Sequence, residues 1–352
     1  MRSFSEQKLS KSVPPGLIWL VGGVMESRGR QELFEHQRPE VLKSLRQMAI
    51  IQSTESSNRI EGVTVSQKRL APLVLGKVEP RDRSEQELVG YRRALSWIHE
   101  HHTEISFSPW TLKELHRLTL SGVSGDAGQY KQVDNDIIEI LPSGRRQVRF
   151  RTLPKEGVED AVEQLCLAYQ DVTNNDRLLP ALAIASATLD FLCIHPFRDG
   201  NGRVSRLLTL LLLYRHQFHV GRFISIERII EQTKEDYYNT LQASSVGWHQ
   251  DGHDLVPWWS YFLSTLKRAY GEFEHSVEQL SAYRGAKTQS VEQVIAQLGD
   301  SFRFAELAER LPHVSPMQVR KVLRAMRDKG SLECIGRGRG AMWHKRGTNS
   351  KK

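Results

Sequence analysis

Apolar residues recur along most of this chain at the three- and four-residue spacing that places them on one face of an α-helix. Residues 38–60 are typical, and we predict a helix there with Pro39 in its first turn and Gly62 beyond its end. Its apolar positions are Val41, Leu42, Leu45, Met48, Ala49 and Ile50. The same pattern predicts helices over 84–104, 108–118, 155–171, 227–245, 255–279, 291–298, 304–311 and 316–329.

Two further segments, 181–194 and 204–214, are apolar on nearly every side, so we expect helices buried at the centre of the fold. The pattern breaks over 121–154, where glycines and prolines are frequent. Alternating residues on both sides of Pro142-Ser143-Gly144 predict a β-hairpin that turns there. The predicted fold is therefore mainly α, with one small hairpin in its larger part.

The end of the chain has a different pattern. The segment 281–290 is polar and rich in small residues, so we place a domain boundary there. Beyond it, three short helical patterns precede a predicted two-stranded wing over 331–343. This order resembles a winged helix-turn-helix domain.

Composition and charge narrow the class of protein. No apolar run approaches the roughly 20 residues that span a bilayer, so a membrane protein is not predicted. The three cysteines, Cys166, Cys193 and Cys334, lie far apart, which is typical of the cytoplasm and of a protein without disulfides or a zinc site. The net charge of +8 is carried entirely by residues 287–352, because the rest of the chain is neutral. A basic tail of this kind indicates binding to nucleic acid.

The two predicted buried helices are joined through HPFRDGNGRVSR, residues 195–206. Gly200 and Gly202 allow backbone N–H groups to converge on a ligand, and the start of the next helix adds positive potential. Arg203 and Arg206 are three residues apart, so they share a helix face and can bind two phosphate groups. These features predict an anion-binding loop.

Two more residues of this stretch carry chemistry. Asp199 is a hard oxygen ligand suited to Mg²⁺, and His195 can act as a base near neutral pH. Phosphoryl or nucleotidyl transfer requires a positioned nucleophile, charge stabilisation and a metal-bound leaving group. No GxxxxGK[ST] pattern occurs, so a P-loop is not predicted. The plainer alternative is a glycine-rich turn between two core helices.

This stretch resembles the Fic family signature HxFx(D/E)GNGRxxR at every fixed position, and the resemblance extends more weakly over 17–279. It implies a helical protein adenylyltransferase, which moves AMP from ATP to Ser, Thr or Tyr hydroxyls of proteins. His195 is then the catalytic base, and Arg203 and Arg206 bind the β- and γ-phosphates. The implied ATP-binding residues, with Asp199 also the Mg²⁺ ligand, are Asp199, Gly200, Asn201, Gly202, Arg203, Arg206, Tyr237, Tyr238 and Ser245.

Two other segments match features of the family. The predicted hairpin corresponds to the family's flap, which holds a target segment by strand addition. Its flap residues are Gln147, Val148, Arg149, Phe150 and Arg151. Residues 57–62 match the inhibitory pattern (S/T)xxxE(G/N) through Ser57, Glu61 and Gly62, and Glu61 is expected to pair with Arg206 and disturb ATP binding. In some relatives the same glutamate assists AMP removal, so the reverse reaction stays open.

The resemblance divides the chain into an N-terminal helical region with the inhibitory motif (1–80), a Fic catalytic domain (81–280) and a winged-helix-like domain (287–346). The expected partners are a protein substrate with a hydroxyl side chain and, through the tail, DNA; a protein-docking tail is the alternative. Homodimer formation also stays open, because similar proteins often form dimers. The tail residues that suit DNA contacts are Gln318, Arg320, Lys321, Arg324, Arg327, Lys329, Arg337 and Arg339.

Two other functions compete with AMP transfer. One is a DNA-binding transcriptional regulator that carries the Fic domain as a sensor, although a pure regulator does not need all the site residues intact. The other is a different phosphate-donor transfer such as phosphorylation. The last arginine of the signature is missing in Fic kinases, whereas Arg206 is present here and favours binding of a full triphosphate.

Overall fold

Helices are the main elements of the structure, as the spacing of the apolar residues predicts. The structure is a computed structural model that describes residues 1–37, 39–140, 144–311, 314–336, 338 and 341–346. For residues 34–37, 39–41, 139–140, 280–287 and 289–290 it describes the backbone only. No helix within the described ranges is long and apolar enough to cross a membrane.

The helices, in chain order, are α1 Glu6–Leu9, α2 Pro15–Gln37, α3 Pro39–Ile60, α4 Gln67–Val74, α5 Arg83–His101, α6 Pro109–Leu120, α7 Val158–Asn174, α8 Pro180–Ile194, α9 Asn201–Arg215, α10 Ile226–Gln232, α11 Lys234–Ser245, α12 Val256–Gln297, α13 Phe304–Glu309 and α14 Pro316–Asp328. The strands are β1 Ile137–Ile140, β2 Arg146–Phe150, β3 Ser301–Arg303, β4 Leu332–Ile335 and β5 Met342–Lys345. Short 3-10 turns span Arg2–Phe4, Lys155–Gly157, His219–Arg222 and Trp248–Gln250.

Two of the predicted helix limits are wrong. The segment 227–245 lies in two helices, α10 and α11, because Thr233 leaves the helical conformation (φ −116°, ψ 35°) and its hydroxyl lies 2.9 Å from that of Tyr261. The segment 281–290, predicted to separate two helices, belongs to the continuous helix α12. It has no proline and a single glycine, so nothing in its sequence stops a helix.

The chain forms two units, Met1–Glu274 and His275–Lys352, so α12 begins in the first unit and ends in the second. The sheet of the second unit has three antiparallel strands in the order β3–β5–β4, one more than the predicted wing. The wing-tip residues Arg337 and Arg339 lie outside the described residues. The winged-helix assignment and the three domain limits stay predictions.

The two segments predicted to be buried on nearly every side are α8 and α9, and they pack against each other in the first unit. Every residue of α8 after Pro180 is buried except Leu192, which is half-buried. Helix α7 packs on α8, while α3, α5 and α6 pack on α9. The short link between α8 and α9 is therefore fixed at both ends.

Strands β1 and β2 form the predicted antiparallel hairpin, in which Ile138 lies opposite Val148 and Ile140 opposite Arg146. The predicted turn residues Pro142 and Ser143 lie outside the described residues. Strand β2 packs on α11, and α11 in turn contacts α8. This packing brings the hairpin close to the link between α8 and α9.

A buried carboxylate, Asp190, ties α8 to distant parts of the first unit. It accepts hydrogen bonds from the N–H and hydroxyl of Ser3, at 3.1 and 2.7 Å, and from Nε1–H of Trp248, at 2.6 Å. Burial raises the pKa of Asp190 to about 6, although these hydrogen bonds act in the opposite direction. The contribution of Asp190 to stability therefore depends on pH.

We expect Asp190→Asn to gain stability relative to the wild type as the pH rises. An aspartate with a folded pKa of about 6 and an unfolded pKa of about 3.9 contributes most at low pH, and this contribution is lost as the pH rises through 6. The difference in Tm between the two proteins, measured by calorimetry, should shift in the variant's favour between about pH 4.5 and about pH 7. A difference that does not change with pH would contradict the raised pKa.

Candidate active site

A cavity of about 370 Å³ lies in the first unit beside the link between α8 and α9. The end of α3, helix α11 and the β1–β2 hairpin also contribute to its walls. Its lining consists of Glu61, Ile137, Ile138, Arg149, Phe150, Leu189, Leu192, Cys193, His195, Gly202, Arg206, Tyr237, Tyr238, Leu241, Gln242 and Ser245. Residues from the predicted catalytic, nucleotide-binding, inhibitory and flap sets therefore meet at one cavity.

His195 ends helix α8 in a left-handed conformation (φ 52°, ψ 59°) that turns the chain into the link. Its Nδ1 lies 3.2 Å from the Leu192 carbonyl oxygen. Because a carbonyl only accepts, Nδ1 carries the proton and Nε2 keeps its lone pair. Burial lowers the pKa of His195 to about 4, so the ring is neutral near pH 7 and can act as a general base.

The link is folded by its own polar groups. Asn201 is buried; its Oδ1 accepts the Phe197 N–H at 3.0 Å and its Nδ2 donates to the Phe197 carbonyl at 2.7 Å. Gly200 precedes α9 with a φ of 79°, a left-handed conformation that favours glycine. The Asn201 side chain therefore shapes the loop, while the first turn of α9 presents N–H groups that can attract an anion.

A carboxylate occupies the space in front of this helix start. A Cβ atom on Gly202 would collide with Oε1 of Glu61 and lie 3.3 Å from Nη1 of Arg206, so only glycine permits this approach. The same Glu61 oxygen accepts a hydrogen bond from Arg206 Nη2 at 2.8 Å. Glu61 thus places negative charge where the start of α9 attracts it.

Arg206 is buried against the last turn of α3. Its Nε–H donates to the Ser57 hydroxyl at 2.8 Å, and its Nη2 donates to the Ser57 carbonyl at 2.9 Å. Together with the hydrogen bond to Glu61, these contacts occupy the N–H donors on one edge of the guanidinium. A phosphate would need the same donors. Two of the predicted inhibitory residues therefore bind the same arginine.

The end of α3 is anchored on both sides. Lys234 Nζ donates to the Ile60 carbonyl at 2.9 Å, and Arg59 pairs with Glu231 at 3.0 Å. The N–H of Gly62, the third predicted inhibitory residue, donates to the Arg59 carbonyl at 3.0 Å and closes the last turn. A cation at a helix C-terminus satisfies its free carbonyls and is favoured by the helix dipole.

The structure does not place Arg203 where its spacing from Arg206 suggests. Arg203 is 2% exposed, is absent from the described lining of the cavity, and binds buried Glu87 at 2.5 Å. Its Nε has no hydrogen-bond partner among the described residues. The Asp199 side chain is 65% exposed and lies 3.7 Å from Arg203. The two arginines therefore contact different carboxylates, because their side chains diverge from one helix.

The predicted tyrosine pair lies where the core borders the cavity. Tyr237 is buried and its ring packs edge-on against those of Tyr238 and Trp258, with centroids 5.2 and 5.6 Å apart. Tyr238 is half-buried, and both rings reach the cavity. Ser245 also lines it, and its hydroxyl donates to the Gln242 carbonyl at 3.0 Å.

The flap residues are fixed to the first unit at one end of β2. Arg149 Nη2 donates to the Tyr238 carbonyl at 2.8 Å. The Phe150 ring stacks on His249 at 5.5 Å, and Nε2–H of His249 donates to the Arg151 carbonyl at 2.8 Å. The remaining flap side chains project into solvent; the exposed ones are Gln147, Val148 and Arg151.

His116, on α6, supports the link from behind and was not singled out by the sequence. This buried ring accepts the Gly128 N–H on Nδ1 at 2.8 Å and donates from Nε2 to the Asp199 carbonyl at 3.1 Å. It also stacks on Phe197, with centroids 3.9 Å apart. Burial lowers the pKa of His116 to about 4, which agrees with this neutral form. Only its position inside a predicted helix was visible in the sequence, because its partners lie far away in the chain.

A second support connects the link to the base of the hairpin. The buried Lys131 donates from Nζ to the Thr152 hydroxyl at 2.8 Å, and its N–H donates to the Pro196 carbonyl at 2.9 Å. Asn135, just before β1, donates to the Phe197 carbonyl at 3.1 Å. Burial lowers the pKa of Lys131. The flap and the link are therefore held by one polar network.

Comparison with known proteins agrees with this architecture. The sequence model of the Fic/DOC family matches residues 106–213. Among curated proteins, "Protein adenylyltransferase fic-1" of Caenorhabditis elegans is 28% identical over 255 residues, which are 69% of this chain and 42% of that protein. A protein of Ostreid herpesvirus 1 (isolate France) named "Ribonucleoside-diphosphate reductase small chain" is 30% identical over 164 residues, which are 44% of this chain and 28% of that protein. The chain thus spans less than half the length of these curated relatives.

A solved structure shares the fold over almost the whole chain. The crystal structure of a Fic family protein from Desulfovibrio desulfuricans G20 has a TM-score of 0.65 and 21% identity. The match covers 97% of this chain and 99% of that one. The helical fold is therefore one that occurs in a Fic family protein.

We expect His116→Ala to loosen the link. The variant loses the ring stacking and leaves the Gly128 N–H unpaired, which should lower the free energy of unfolding by about 2–4 kcal/mol. Hydrogen exchange should become faster in peptides that cover 121–130 and 195–202. His101→Ala, which removes a half-exposed histidine from α5, should leave both peptides unchanged. Unchanged exchange over 195–202 in His116→Ala would contradict the supporting role.

We also expect an NMR titration of His195, assigned with His195→Ala, to give a pKa of about 4. Because the nearby Glu61 charge raises this pKa, Glu61→Gln should lower it further. A histidine with a lowered folded pKa stabilises the fold above its unfolded pKa of about 6.5 and loses that contribution as the pH falls towards 4. A measured value near 6.5 would show that the ring is not desolvated.

Proposed function

This chain belongs to the Fic family, and from that premise we propose that it is a protein adenylyltransferase. It transfers AMP from ATP to the hydroxyl of a Ser, Thr or Tyr side chain in a target protein. The observation that carries the proposal is the single cavity lined by neutral His195, the start of α9 and Arg206. A base, an anion-binding helix start and a buried cation are what nucleotidyl transfer requires.

In the proposed step, Nε2 of His195 takes the proton of the target hydroxyl. The hydroxyl oxygen forms a bond to the α-phosphorus of ATP, while the bond from that phosphorus to the oxygen that bridges to the β-phosphate breaks. Pyrophosphate leaves with the electron pair of the broken bond, and AMP stays on the target. The N–H groups at the start of α9, beside Gly202, stabilise the charge that develops at the α-phosphate.

Arg206 is the proposed ligand of the terminal phosphates. The contacts that Ser57 and Glu61 make with its guanidinium show that its donors are directed at an oxygen-rich partner. Arg203 lies behind the loop, where it adds positive potential.

Asp199 fits a Mg²⁺ ion that enters with ATP. Its exposed carboxylate is a suitable ligand, because Mg²⁺ is usually held by one or two carboxylates together with phosphates and water. The described residues contain no group of three or more His, Cys, Asp or Glu side chains that could hold a metal by themselves, which agrees with an ion shared with the nucleotide. When bound, Mg²⁺ neutralises phosphate charge and stabilises the leaving pyrophosphate.

Glu61 is the proposed brake on this reaction. Its carboxylate binds Arg206 and stands in front of α9, so both places that attract the terminal phosphates already hold negative charge. The Arg206 side chain is 3% exposed and that of Glu61 30%, which makes their contact a partly buried, charge-assisted hydrogen bond. Productive ATP binding then requires Glu61 to move away from Arg206.

The hairpin is the proposed docking site for the target. A groove of about 410 Å³ lies between β2 and the end of α11, and it shares Arg149, Phe150, Gln242 and Ser245 with the cavity. An extended target segment that adds to the edge of the hairpin would gain main-chain hydrogen bonds. Its hydroxyl would then lie near His195.

We expect Glu61→Gly to raise the incorporation of label from α-labelled ATP into the protein itself by about tenfold or more, which corresponds to at least about 1.4 kcal/mol. Adding His195→Ala should abolish incorporation, because no base remains. Label from γ-labelled ATP should leave with pyrophosphate. Retention of the γ-label instead would indicate phosphoryl transfer.

The matched control is Glu79→Gly, which removes an exposed carboxylate away from the cavity and should behave like the wild type. Equal incorporation in the wild type and Glu61→Gly would refute the brake while leaving the transferase intact. No incorporation from either label by Glu61→Gly, with any protein extract as target, would refute the transferase. Loss of label from a modified target in the wild type but not in Glu61→Gly would indicate the reverse reaction.

A further inference from the structure

Helix α14, in the second unit, has two opposite faces of different character. Val319, Val322 and Leu323 are buried in the core of this unit. At about 100° of rotation per residue, the centre of the opposite face falls between Arg324 and Lys321. The exposed residues on it are Met317, Arg320, Lys321 and Arg324, and we call them the α14 face.

Positive charge on the α14 face is concentrated. Between Pro316 and Arg327 the helix contains four cations and no carboxylate. The first acidic residue is Asp328, in the last turn, where it pairs with Arg327 at 2.9 Å. Because nothing acidic interrupts the α14 face, its side chains form a continuous cationic strip.

Two basic residues at the end of the sheet are engaged within the second unit. Lys345 Nζ donates to the carbonyls of Ala296 and Leu298, at 3.0 and 2.6 Å, and Arg346 pairs with Glu333 at 3.0 Å. Gln318, one of the residues predicted to contact DNA, lies 3.4 Å from the Thr288 hydroxyl and is half-buried. These residues are therefore not part of the face that is open to a partner.

The arginines of the α14 face are exposed to solvent. The Arg320 guanidinium carbon lies 4.7 Å from the centre of the Phe304 ring, a contact that restricts the side chain while leaving it exposed. Arg324 is exposed and has no ion-pair partner among the described residues. Met317, 80% exposed, adds an apolar group near the start of the helix.

We propose that the α14 face binds duplex DNA by entering the major groove. The groove admits an α-helix, and guanidinium groups at successive turns match phosphate oxygens on its two sides. The order α13 followed by α14 fits a helix-turn-helix, in which residues near the start of the second helix reach the base edges. Met317 lies at that end, where an apolar side chain can contact a thymine methyl group. This inference concerns the second unit and does not depend on the transferase activity.

The test is fluorescence anisotropy of this 352-residue chain with a labelled duplex of about 20 base pairs of mixed sequence, between about 50 and about 200 mM salt. The wild type should bind with an affinity that falls as salt rises. The triple variant Arg320→Glu, Lys321→Glu, Arg324→Glu should bind at least about tenfold more weakly, with a salt slope shallower by roughly 2–3, because each lost phosphate contact removes about 0.9.

One control separates the α14 face from net charge. Lys11→Glu, Lys43→Glu and Lys68→Glu together make the same charge change at exposed positions of the first unit and should leave DNA binding within about twofold. Asp328→Asn should strengthen binding, since it removes the carboxylate at the end of the strip. Arg324→Gln, a single exposed substitution, should weaken binding and provides the test if the triple variant does not fold.

Three results would overturn the proposal. One is no binding to the duplex at the lowest salt concentration. Another is equal weakening by the two triple variants, which would assign the effect to net charge. The third is binding of poly-glutamate as tight as that of the duplex and equally sensitive to Arg324→Gln, which would indicate an acidic protein partner.

Discussion

The buried guanidinium of Arg206 is the group on which the arrangement of the site depends. It lies within the first unit and is satisfied by the hydroxyl and carbonyl of Ser57 and by the carboxylate of Glu61. Leaving such a charge unpaired costs several kcal/mol, so α3 cannot simply withdraw from α9. In the proposed reaction, the phosphate that binds Arg206 replaces Glu61 and meets the same requirement. The proposed inhibition and the proposed nucleotide binding are therefore alternative ways of satisfying one buried cation.

In the stretch from His195 to Arg206, residues that face the cavity alternate with residues that fold the loop. His195, Gly202 and Arg206 face the cavity, whereas Asn201 and Arg203 are directed into the protein, towards Phe197 and Glu87. Residues that fold the loop and residues that face the cavity are thus neighbours in the sequence. This explains why two arginines of one helix turn bind different carboxylates.

A feature of the fold or the site could be predicted from the sequence when the residues that form it are close together in the chain. Helices α8 and α9 and the anion-binding loop are visible in the sequence, because their signals are continuous runs of residues. The contact between Glu61 and Arg206 was expected only from a family resemblance, since nothing local joins the two. His116 could not be found, because its role exists only once α6 packs behind the loop. The break at Thr233 was also missed, since it depends on tertiary contacts with residues such as Tyr261.

Tyr238 lies between two elements that border the cavity, the end of α3 and the flap. Lys234, which holds the end of α3 through the Ile60 carbonyl, has its ammonium 5.9 Å from the centre of the Tyr238 ring. Arg149 of the flap lies 5.5 Å from the same centre and donates to the Tyr238 carbonyl. Helix α11 therefore contacts both the end of α3, through Lys234, and the flap, through Tyr238.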